Sequence, residues 1–161
     1  MSVDLLDARL LDLLASNPRM GVLECSRRLR VARGTVQARL DRLSRDGVVT
    51  GFGPDLDPVA LGYPVTAFVT LQIVQGAGHD AVAEHLARIP EVLEALTISG
   101  EADMMCRVVA RSNADLQRVL DLVVADRSIR RSSTTIALSR RIPHRVLPLL
   151  HAAATTKAPV P

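Results

Sequence analysis

Eight arginines lie between positions 19 and 45, where the chain has only two acids, Glu24 and Asp41. This stretch carries a net charge of +6, whereas the whole protein carries +3. Arginine neutralises nucleic-acid phosphates and releases their counterions, which gives affinity that does not depend on base sequence. The stretch therefore predicts a surface that binds a nucleic acid. Its arginines are Arg19, Arg27, Arg28, Arg30, Arg33, Arg39, Arg42 and Arg45.

Aromatic side chains are almost absent, since Phe52, Phe68 and Tyr63 are the only three in the chain. Proteins that read single strands or RNA stack bases on aromatic rings, so the composition favours duplex DNA as the partner. Hydrophobic residues make up 48% of the chain. We therefore expect a core of Leu, Val, Ile and Ala.

The arginines lie on two segments that have the apolar spacing of helices. The stripes consist of Val22, Leu23, Ser26 and Leu29 in one segment and Val36, Leu40 and Leu43 in the other. The pattern predicts helices from Gly21 to Leu29 and from Ala32 to Asp46, with Gly47 closing the second. An earlier helix is expected to begin after the cap Asp4 and to end at Asn17-Pro18. Together these helices predict a helix-turn-helix, which places its second helix in the major groove of DNA.

The inward stripe of the third helix leaves its opposite face for DNA. Arg33 and Gln37 are expected to contact base edges, because Arg suits guanine O6 and N7 and Gln suits adenine N6 and N7. Gly34 and Ala38 are small enough to let the helix approach the groove or contact thymine methyl groups. The predicted interface also includes Thr35 and the phosphate-contacting arginines Arg27, Arg28, Arg30, Arg42 and Arg45. The alternative is a solvated charged face.

Beyond position 64 the pattern predicts an α+β domain with the ferredoxin-like order β-α-β-β-α-β. Strands are expected over Val65–Val74, Val92–Ser99, Met104–Ala110 and Ile129–Ser139, and helices over His79–Arg88 and after the cap Ser112. The predicted domains are 1–56 (helix-turn-helix with a trailing strand or wing over Val48–Leu56), 57–64 (hinge), 65–150 (ferredoxin-like) and 151–161 (disordered tail).

The run Val65–Val74 is apolar at nearly every position, whereas a strand with one face in water alternates. We therefore expect the sheet face that the helices leave bare to be buried against a second copy. A two-fold dimer would present two DNA-binding domains to major-groove segments about 34 Å apart on a pseudo-palindromic site.

Cys25 and Cys106 lie in apolar contexts, without a CxxC spacing or a nearby pair of histidines. Both are interpreted as small buried hydrophobes rather than as a disulfide or metal pair. No apolar run approaches the roughly 20 residues of a membrane span, and the N-terminus lacks a signal-peptide pattern. A cytoplasmic, nucleoid-associated protein without metal or cofactor is expected.

Four segments together resemble the Lrp/AsnC (feast/famine) family of transcriptional regulators, over roughly Val3 to Leu149. They are VDLLDARLLDLL (3–14), LDRLSRDGVVTGF (40–52), DLDPVALGY (55–63) and IPEVLEALTISGEADMMCRV (89–108). The resemblance implies a winged helix-turn-helix followed by an effector-binding domain of the RAM/ACT-like type. It also implies dimers that often assemble into octamers, and control by a small ligand, commonly an amino acid, that lies between dimers. The expected function is that of a sequence-specific DNA-binding regulator, not an enzyme.

Three residues depart from the family pattern. Gly21 and Ala32 stand where the family usually has Ser at a helix start, and losing one cap costs about 1 kcal/mol of helix stability. Arg30 stands in the turn where the family usually has Gly. If that position needs a positive φ, Arg30 is strained there; otherwise the turn differs and Arg30 adds a phosphate contact.

The turn Ser99-Gly100-Glu101-Ala102-Asp103 is the expected effector site. A carboxylate beside the backbone N–H groups of a glycine turn is able to hold both ends of an amino acid, with Asp103 facing the ammonium group. Thr134 matches a recurrent Thr of the family and is expected to add a hydrogen bond. Ala102 replaces an aromatic residue, so the pocket is larger, altered in preference or unused. The alternative is a β-turn whose Asp only closes its own backbone.

Two other functions stay open. Siroheme decarboxylases share the two-domain architecture, but their tetrapyrrole pocket requires His, Arg and Tyr. In this chain Tyr63 is the only tyrosine, the four histidines form no cluster by spacing, and no catalytic motif is present. The other is a ligand-sensing or oligomerisation module whose DNA binding has weakened through Ala32 and Arg30.

Overall fold

The computed structural model describes residues 3–74, 76 and 78–155. These residues form two compact units, unit 1 within 1–54 and 142–161 and unit 2 within 55–141. The helices are α1 (Leu5–Ser16), α2 (Val22–Leu29), α3 (Arg33–Arg45), α4 (His79–Ala87), α5 (Asn113–Val123) and α6 (Leu147–Thr155), and the strands are β1 (Val65–Ile73), β2 (Val92–Thr97), β3 (Met104–Ala110) and β4 (Ile129–Ile136). Within the described ranges, no helix is both long and apolar enough to span a membrane.

Helix α1 begins with a capping box. The Asp7 N–H donates to Asp4 Oδ1 at 2.8 Å, and the Asp4 N–H donates to Asp7 Oδ2 at 3.0 Å. These two bonds satisfy N–H groups that have no partner inside the helix. Asn17 is the C-cap. Both predicted ends of the first helix are confirmed.

The turn between α2 and α3 contains a residue with a positive φ. This is the first of the two possibilities that the sequence analysis gave for Arg30. Arg30 adopts φ 57° and ψ 44°, in the left-handed region, and no other non-glycine residue of the described chain has a positive φ. Gly21 and Ala32 precede α2 and α3 without a side-chain cap. Gly47 follows α3 at φ 72°, as predicted.

The core of unit 1 is formed by one face of each of its first three helices. Its buried members are Leu10, Cys25, Leu29, Val36 and Leu40. The inward stripe of α3 is as predicted, whereas Leu23 is 49% exposed and Cys25 is buried instead. Residues 22, 25 and 29 are three or four positions apart and share a helix face, which residue 23 does not.

Helix α6 corrects two predictions, the end of the second domain at residue 150 and the disordered tail that follows. Leu150 and Ala154 pack against Ala8 of α1. His151 Nε2 lies 3.0 Å from Asp12 Oδ1. The segment is short and rich in small residues, and its apolar face is buried only because α1 lies beside it. Residues 156–161 of the predicted tail lie outside the described residues.

Residues 48–56 contain no strand, which corrects the predicted trailing strand. The N–H groups of Val48 and Val49 both donate to the Leu43 carbonyl, at 2.9 and 3.1 Å. The segment contains Gly51, Gly53 and Pro54, and glycine and proline are both unfavourable in a strand interior. The predicted hinge is a compact turn in which the Tyr63 N–H donates to the Pro58 carbonyl at 2.8 Å.

Unit 2 has the predicted ferredoxin-like order, with an antiparallel sheet arranged β2-β3-β1-β4. Its strands end one to three residues earlier than predicted at β1, β2 and β4. Ser112 caps α5 by accepting the Asp115 N–H at 3.0 Å. Helices α4 and α5 cover one face of the sheet, and the core between them contains Ala67, Val69, Leu71, Val82, Leu86, Cys106, Leu116, Val119 and Val123.

Strand β1 alternates in burial, which differs from the uniform burial that its composition suggested. Ala67, Val69 and Leu71 are fully buried, whereas Phe68 is 37% exposed. Thr70 is only partly buried. The face without helices is thus a mixture of polar and apolar side chains in one chain.

Both cysteines are free and buried, as interpreted from the sequence. Burial raises the pKa of the Cys106 thiol to about 11. The thiols lie in different units, so each behaves as a small core residue.

Candidate nucleic-acid interface and ligand cavity

The surface formed by α2, the turn and α3 carries the cations that were predicted to contact DNA. Arg27, Arg30, Arg33 and Arg45 are exposed, and their side chains have no ion pair or hydrogen bond within the described residues. Arg28 is also exposed, with Nε 2.9 Å from Glu24 Oε1. An exposed pair of this kind contributes little stability, so Arg28 is able to exchange it for a phosphate.

The N-terminus of α3 lies on this surface. No side chain caps its first N–H groups, because Ala32 stands at the cap position. Arg33, Gly34 and Thr35 form the exposed first turn. Free N–H groups and the helix dipole make such a terminus a site for anions. The missing cap thus leaves donors open to a phosphate.

The predicted base-reading face of α3 is exposed at Gly34, Gln37 and Ala38. Gln37 Nε2 donates to Asp41 Oδ1 at 2.8 Å, which uses one of the two N–H groups of its amide. A Cβ at Gly34 would meet nothing within 4 Å. Packing inside the protein therefore does not require glycine at this position.

Arg42, which was predicted to contact a phosphate, forms an ion pair within unit 1. Its Nη2 lies 2.6 Å from Asp7 Oδ2. Arg39 Nη1 lies 2.7 Å from Asp7 Oδ1 and 2.7 Å from Asp4 Oδ2. Asp7 is fully buried. Because a buried charge is destabilising unless it is paired, the two arginines are needed to compensate it. Arg42 is partly buried in a network that holds α3 to α1.

Sequence reasoning missed this network, although a signal was present. Asp4 and Asp7 are three positions apart on α1, and Arg39 and Arg42 are three positions apart on α3. Such pairs lie on one helix face. Complementary pairs on two helices expected to pack together predict ion pairs between them. The pKa of Asp4 is lowered, because the hydrogen bonds from Arg39 and from the Asp7 N–H outweigh the upward effect of burial.

In unit 2, the Asp103 carboxylate closes the end of a strand. Its Oδ2 accepts the Ile73 N–H at 2.7 Å, and the Asp103 N–H donates to the Leu71 carbonyl at 2.9 Å. Gly100 makes the turn at φ 133°. One oxygen of the predicted ammonium ligand is therefore committed to the backbone, in line with the alternative interpretation of this turn.

A cavity of about 220 Å³ lies beside this turn, between β1 and β4. It is lined by Thr70, Gln72, Glu101, Ala102, Arg131, Ser132 and Ser133. Of the predicted effector residues, Glu101 and Ala102 line it, whereas Ser99, Gly100 and Asp103 do not. Thr134 pairs with the buried Val69, whereas Ser133 pairs with Thr70. Because side chains alternate along a strand, Thr134 lies on the other face of the sheet.

Two family models cover most of the chain. Residues 3–50 match the winged helix-turn-helix DNA-binding model, and residues 66–147 match the Lrp/AsnC ligand-binding domain. The chain belongs to the Lrp/AsnC family. In this Lrp/AsnC-type regulator the first range contains α1, α2 and α3, and the second contains the turn and the cavity.

Similar proteins agree with this membership. An uncharacterised helix-turn-helix transcriptional regulator of Pyrococcus abyssi is 34% identical over 86% of this chain and 88% of its own length. The structure of Escherichia coli AsnC has a TM-score of 0.84 at 26% identity and covers 92% of this chain and 100% of its own. A feast or famine regulatory protein of Mycobacterium tuberculosis, solved with L-methionine, has a TM-score of 0.77 at 27% identity, covering 88% of this chain and 95% of its own.

Proposed function

We propose that this Lrp/AsnC-type regulator binds specific, pseudo-palindromic duplex DNA as a dimer or higher oligomer, and that a small effector, an amino acid, controls the binding. The observation that carries the proposal is the group of exposed, unpaired arginines around the N-terminus of α3. They are Arg27, Arg30, Arg33 and Arg45. Their surface lies in the range that matches a winged helix-turn-helix. The proposal gives the protein no catalytic role.

Each side chain has a separate part in the proposed complex. Arg33 and Gln37 read base edges, because both lie on the exposed face of α3. Arg27, Arg28, Arg30 and Arg45 neutralise phosphates. Arg42 acts from inside the unit, because its contact with Asp7 sets the orientation of α3.

Fluorescence anisotropy tests the DNA-binding part. The full chain is titrated with the duplex upstream of its own gene and with random duplex of equal length, at several salt concentrations. The upstream duplex is expected to bind more tightly. The double variant Arg27→Ala/Arg45→Ala is expected to reduce the slope of log K against log salt by about 2 for each bound subunit, and so by about 4 for a dimer. Arg9→Ala, an exposed change on α1, is the control. Equal affinity for both duplexes, or an unchanged slope, would favour the module with weakened DNA binding.

The dimer is supported by the sheet face without helices. Phe68 is 37% exposed and Leu96 is 45% exposed. Arg107, which is paired across the strands with Phe68, has a buried Nε without a hydrogen-bond partner within the described chain. A second copy would cover the apolar side chains and supply an acceptor. Light scattering of the wild type is expected to give a dimer or octamer, and Phe68→Glu is expected to shift it towards monomer. A wild-type monomer at micromolar concentration would contradict the proposal.

The effector part is supported by the cavity beside the turn 99–103 and by the matched ligand-binding domain. A ligand that changes DNA affinity must, by linkage, bind with altered affinity when DNA is present.

The enzymatic alternative predicts a Soret band when a tetrapyrrole is added to the protein.

A further inference from the structure

The last part of the chain carries a second concentration of positive charge. Residues 127–155 contain six arginines and neither aspartate nor glutamate, whereas the whole protein carries a net charge of only +3. All six side chains are exposed, and none forms an ion pair or hydrogen bond within 3–74, 76 and 78–155. The arginines are Arg127, Arg130, Arg131, Arg140, Arg141 and Arg145.

Arginine in unit 2 pairs with acids where the sequence supplies them. Arg118 Nε lies 2.8 Å from Asp115 Oδ1, and its Nη2 lies 2.5 Å from Glu91 Oε1. The stretch 127–155 supplies no acid of its own. A surface with one sign of charge attracts molecules of the opposite charge, nucleic acids among them. The charge of this stretch therefore points to an external anion.

Three of the six arginines lie on one segment, residues 138–145, which we call the basic arm. It joins β4 to α6 and contains Arg140, Arg141 and Arg145. All of its residues are exposed, and none belongs to a helix or strand. Even a fully extended chain would place Arg140 and Arg145 no more than about 18 Å apart. Over that distance one strand of duplex DNA presents about five phosphates, so the three guanidinium groups match its charge spacing.

Both ends of the basic arm are attached to folded parts of the chain. Just before it, the Ala137 N–H donates to the Thr66 carbonyl at 2.9 Å. Just after it, α6 packs on α1 through Leu150 and Ala8. Pro143 restricts the backbone between these ends. A segment held in this way loses less conformational entropy on binding than a free tail does. The attachment to α1 also joins the arm to the unit that contains α3.

We propose that the basic arm is a second DNA-binding surface, in which Arg140, Arg141 and Arg145 contact phosphates that flank the base pairs read by α3. The inference rests on the duplex binding proposed above and adds contacts outside the helix-turn-helix. These contacts give affinity without base preference, because phosphates carry no sequence information. The arm thus lengthens the stretch of DNA that each subunit covers.

An acidic surface on a second copy of the chain is the other partner with a matching charge. Duplex DNA is favoured for two reasons. Its phosphates are regularly spaced along the reach of the arm, and α6 attaches the arm to the DNA-binding unit. The two partners predict different results, because only DNA contacts change the salt dependence of DNA binding.

Anisotropy titrations of the full chain at several salt concentrations test the inference. The triple variant Arg140→Gln/Arg141→Gln/Arg145→Gln is expected to reduce the slope of log K against log salt by about 3 for each bound subunit. Affinity for the upstream duplex and for random duplex should fall by the same factor, so that their ratio stays that of the wild type.

Two control variants separate an effect of the arm from an effect of net charge or folding. Arg9→Gln/Arg88→Gln/Arg127→Gln removes the same charge at exposed positions outside the arm and is expected to leave the slope unchanged. Lysine at the three arm positions (Arg140→Lys/Arg141→Lys/Arg145→Lys) keeps the charge and is expected to keep the wild-type slope, because lysine also binds phosphate.

Stepwise shortening of the upstream duplex from both ends tests where the arm binds. The wild type is expected to lose affinity as the flanking phosphates are removed. The triple glutamine variant has already lost these contacts, so its affinity should change little. On the shortest duplex that the wild type still distinguishes from random sequence, the two proteins should bind equally.

Three results would overturn the inference. The first is an unchanged slope in the triple glutamine variant, and the second is an equal fall in the slope of the control outside the arm. The third is a smaller oligomer by light scattering with an unchanged slope, which would assign the arm to an acidic surface of a second copy. Absence of DNA binding by the wild type would overturn the proposed regulator as well, whereas normal binding with an unchanged slope overturns the arm alone.

Discussion

Arg42 of α3 and Asp7 of α1 form an ion pair in which Nη2 lies 2.6 Å from Oδ2, and the Asp7 side chain is fully buried. Asp7 also accepts from Arg39, one turn earlier on α3, at 2.7 Å. Two successive turns of α3 are thus attached to one carboxylate on α1. Since α3 is the helix proposed to enter the DNA groove, this carboxylate determines how the exposed face of α3 is presented.

Asp7→Ala is expected to lower the free energy of unfolding of unit 1 by about 2–4 kcal/mol. It removes charged hydrogen bonds from Arg39 and Arg42 that hold α3 to α1, although Arg39 keeps its contact with Asp4. Urea unfolding of the full chain measures the loss. Asp41→Ala is the control, because Asp41 is exposed and its bond is to Gln37. Equal destabilisation by the two variants would contradict a special role of Asp7.

Arg33→Ala is expected to relax preference at one base position of the operator, because Arg33 lies at the exposed start of α3. Arg28→Ala is expected to weaken binding to all sequences alike and to reduce the salt slope by about 1 for each bound subunit, as expected for a phosphate contact. Competition with operators substituted at single positions measures the first effect. Matched losses of Arg33→Ala on operator and random duplex would rule out base reading.

Replacement by glycine is expected to have opposite effects on the stability of unit 1 at Arg30 and at Arg27. Arg30→Gly should stabilise unit 1 by about 0.5–1 kcal/mol, because Arg30 has a φ of 57° and glycine adopts that region without strain. Arg27→Gly should destabilise it by about 1 kcal/mol, because Arg27 lies inside α2. Thermal unfolding compares the two variants. A loss of stability in Arg30→Gly would contradict strain in the turn.

Leu150→Asp is expected to destabilise unit 1 by about 2–4 kcal/mol, because Leu150 is buried against Ala8 of α1. Leu149→Asp is the matched control, since Leu149 is 67% exposed on the same helix. A scanning calorimeter measures the transition of unit 1, where 1 kcal/mol corresponds to a shift of about 4–8 °C in Tm. If both variants melt alike, α6 does not stabilise the unit.

Asp4→Asn is expected to reduce the stability of unit 1 in a pH-dependent way. The folded pKa of Asp4 lies below its ordinary value of 3.8, because its bonds with Arg39 and the Asp7 N–H outweigh burial. The charged form therefore stabilises the fold above pH 3.8, and this contribution disappears as the pH falls through the folded pKa. The stability difference from wild type should be constant near neutral pH and vanish in acid. A difference that persists in strong acid would contradict the ion pair as its cause.

Features that depend on a few neighbouring residues were predictable from the sequence. Asp4, Asn17 and Ser112 cap helices through bonds to residues three or four positions away, and their roles were predicted. Gly47 closes α3 as expected. The alternation of strands and helices predicted the ferredoxin-like order, because that order follows from periodicity along the chain.

Features that join distant residues required the tertiary structure. The sequence shows Arg42 as a cation on a basic helix, but its partner Asp7 is 35 positions away. Thr134 and Ser133 are neighbours in sequence, yet only Ser133, which pairs with Thr70 of β1, lines the cavity. Helix α6 is held by α1 from the other end of the chain. Local bonds are encoded within one helical turn, whereas the availability of a charge for a ligand depends on which distant residues the fold brings beside it.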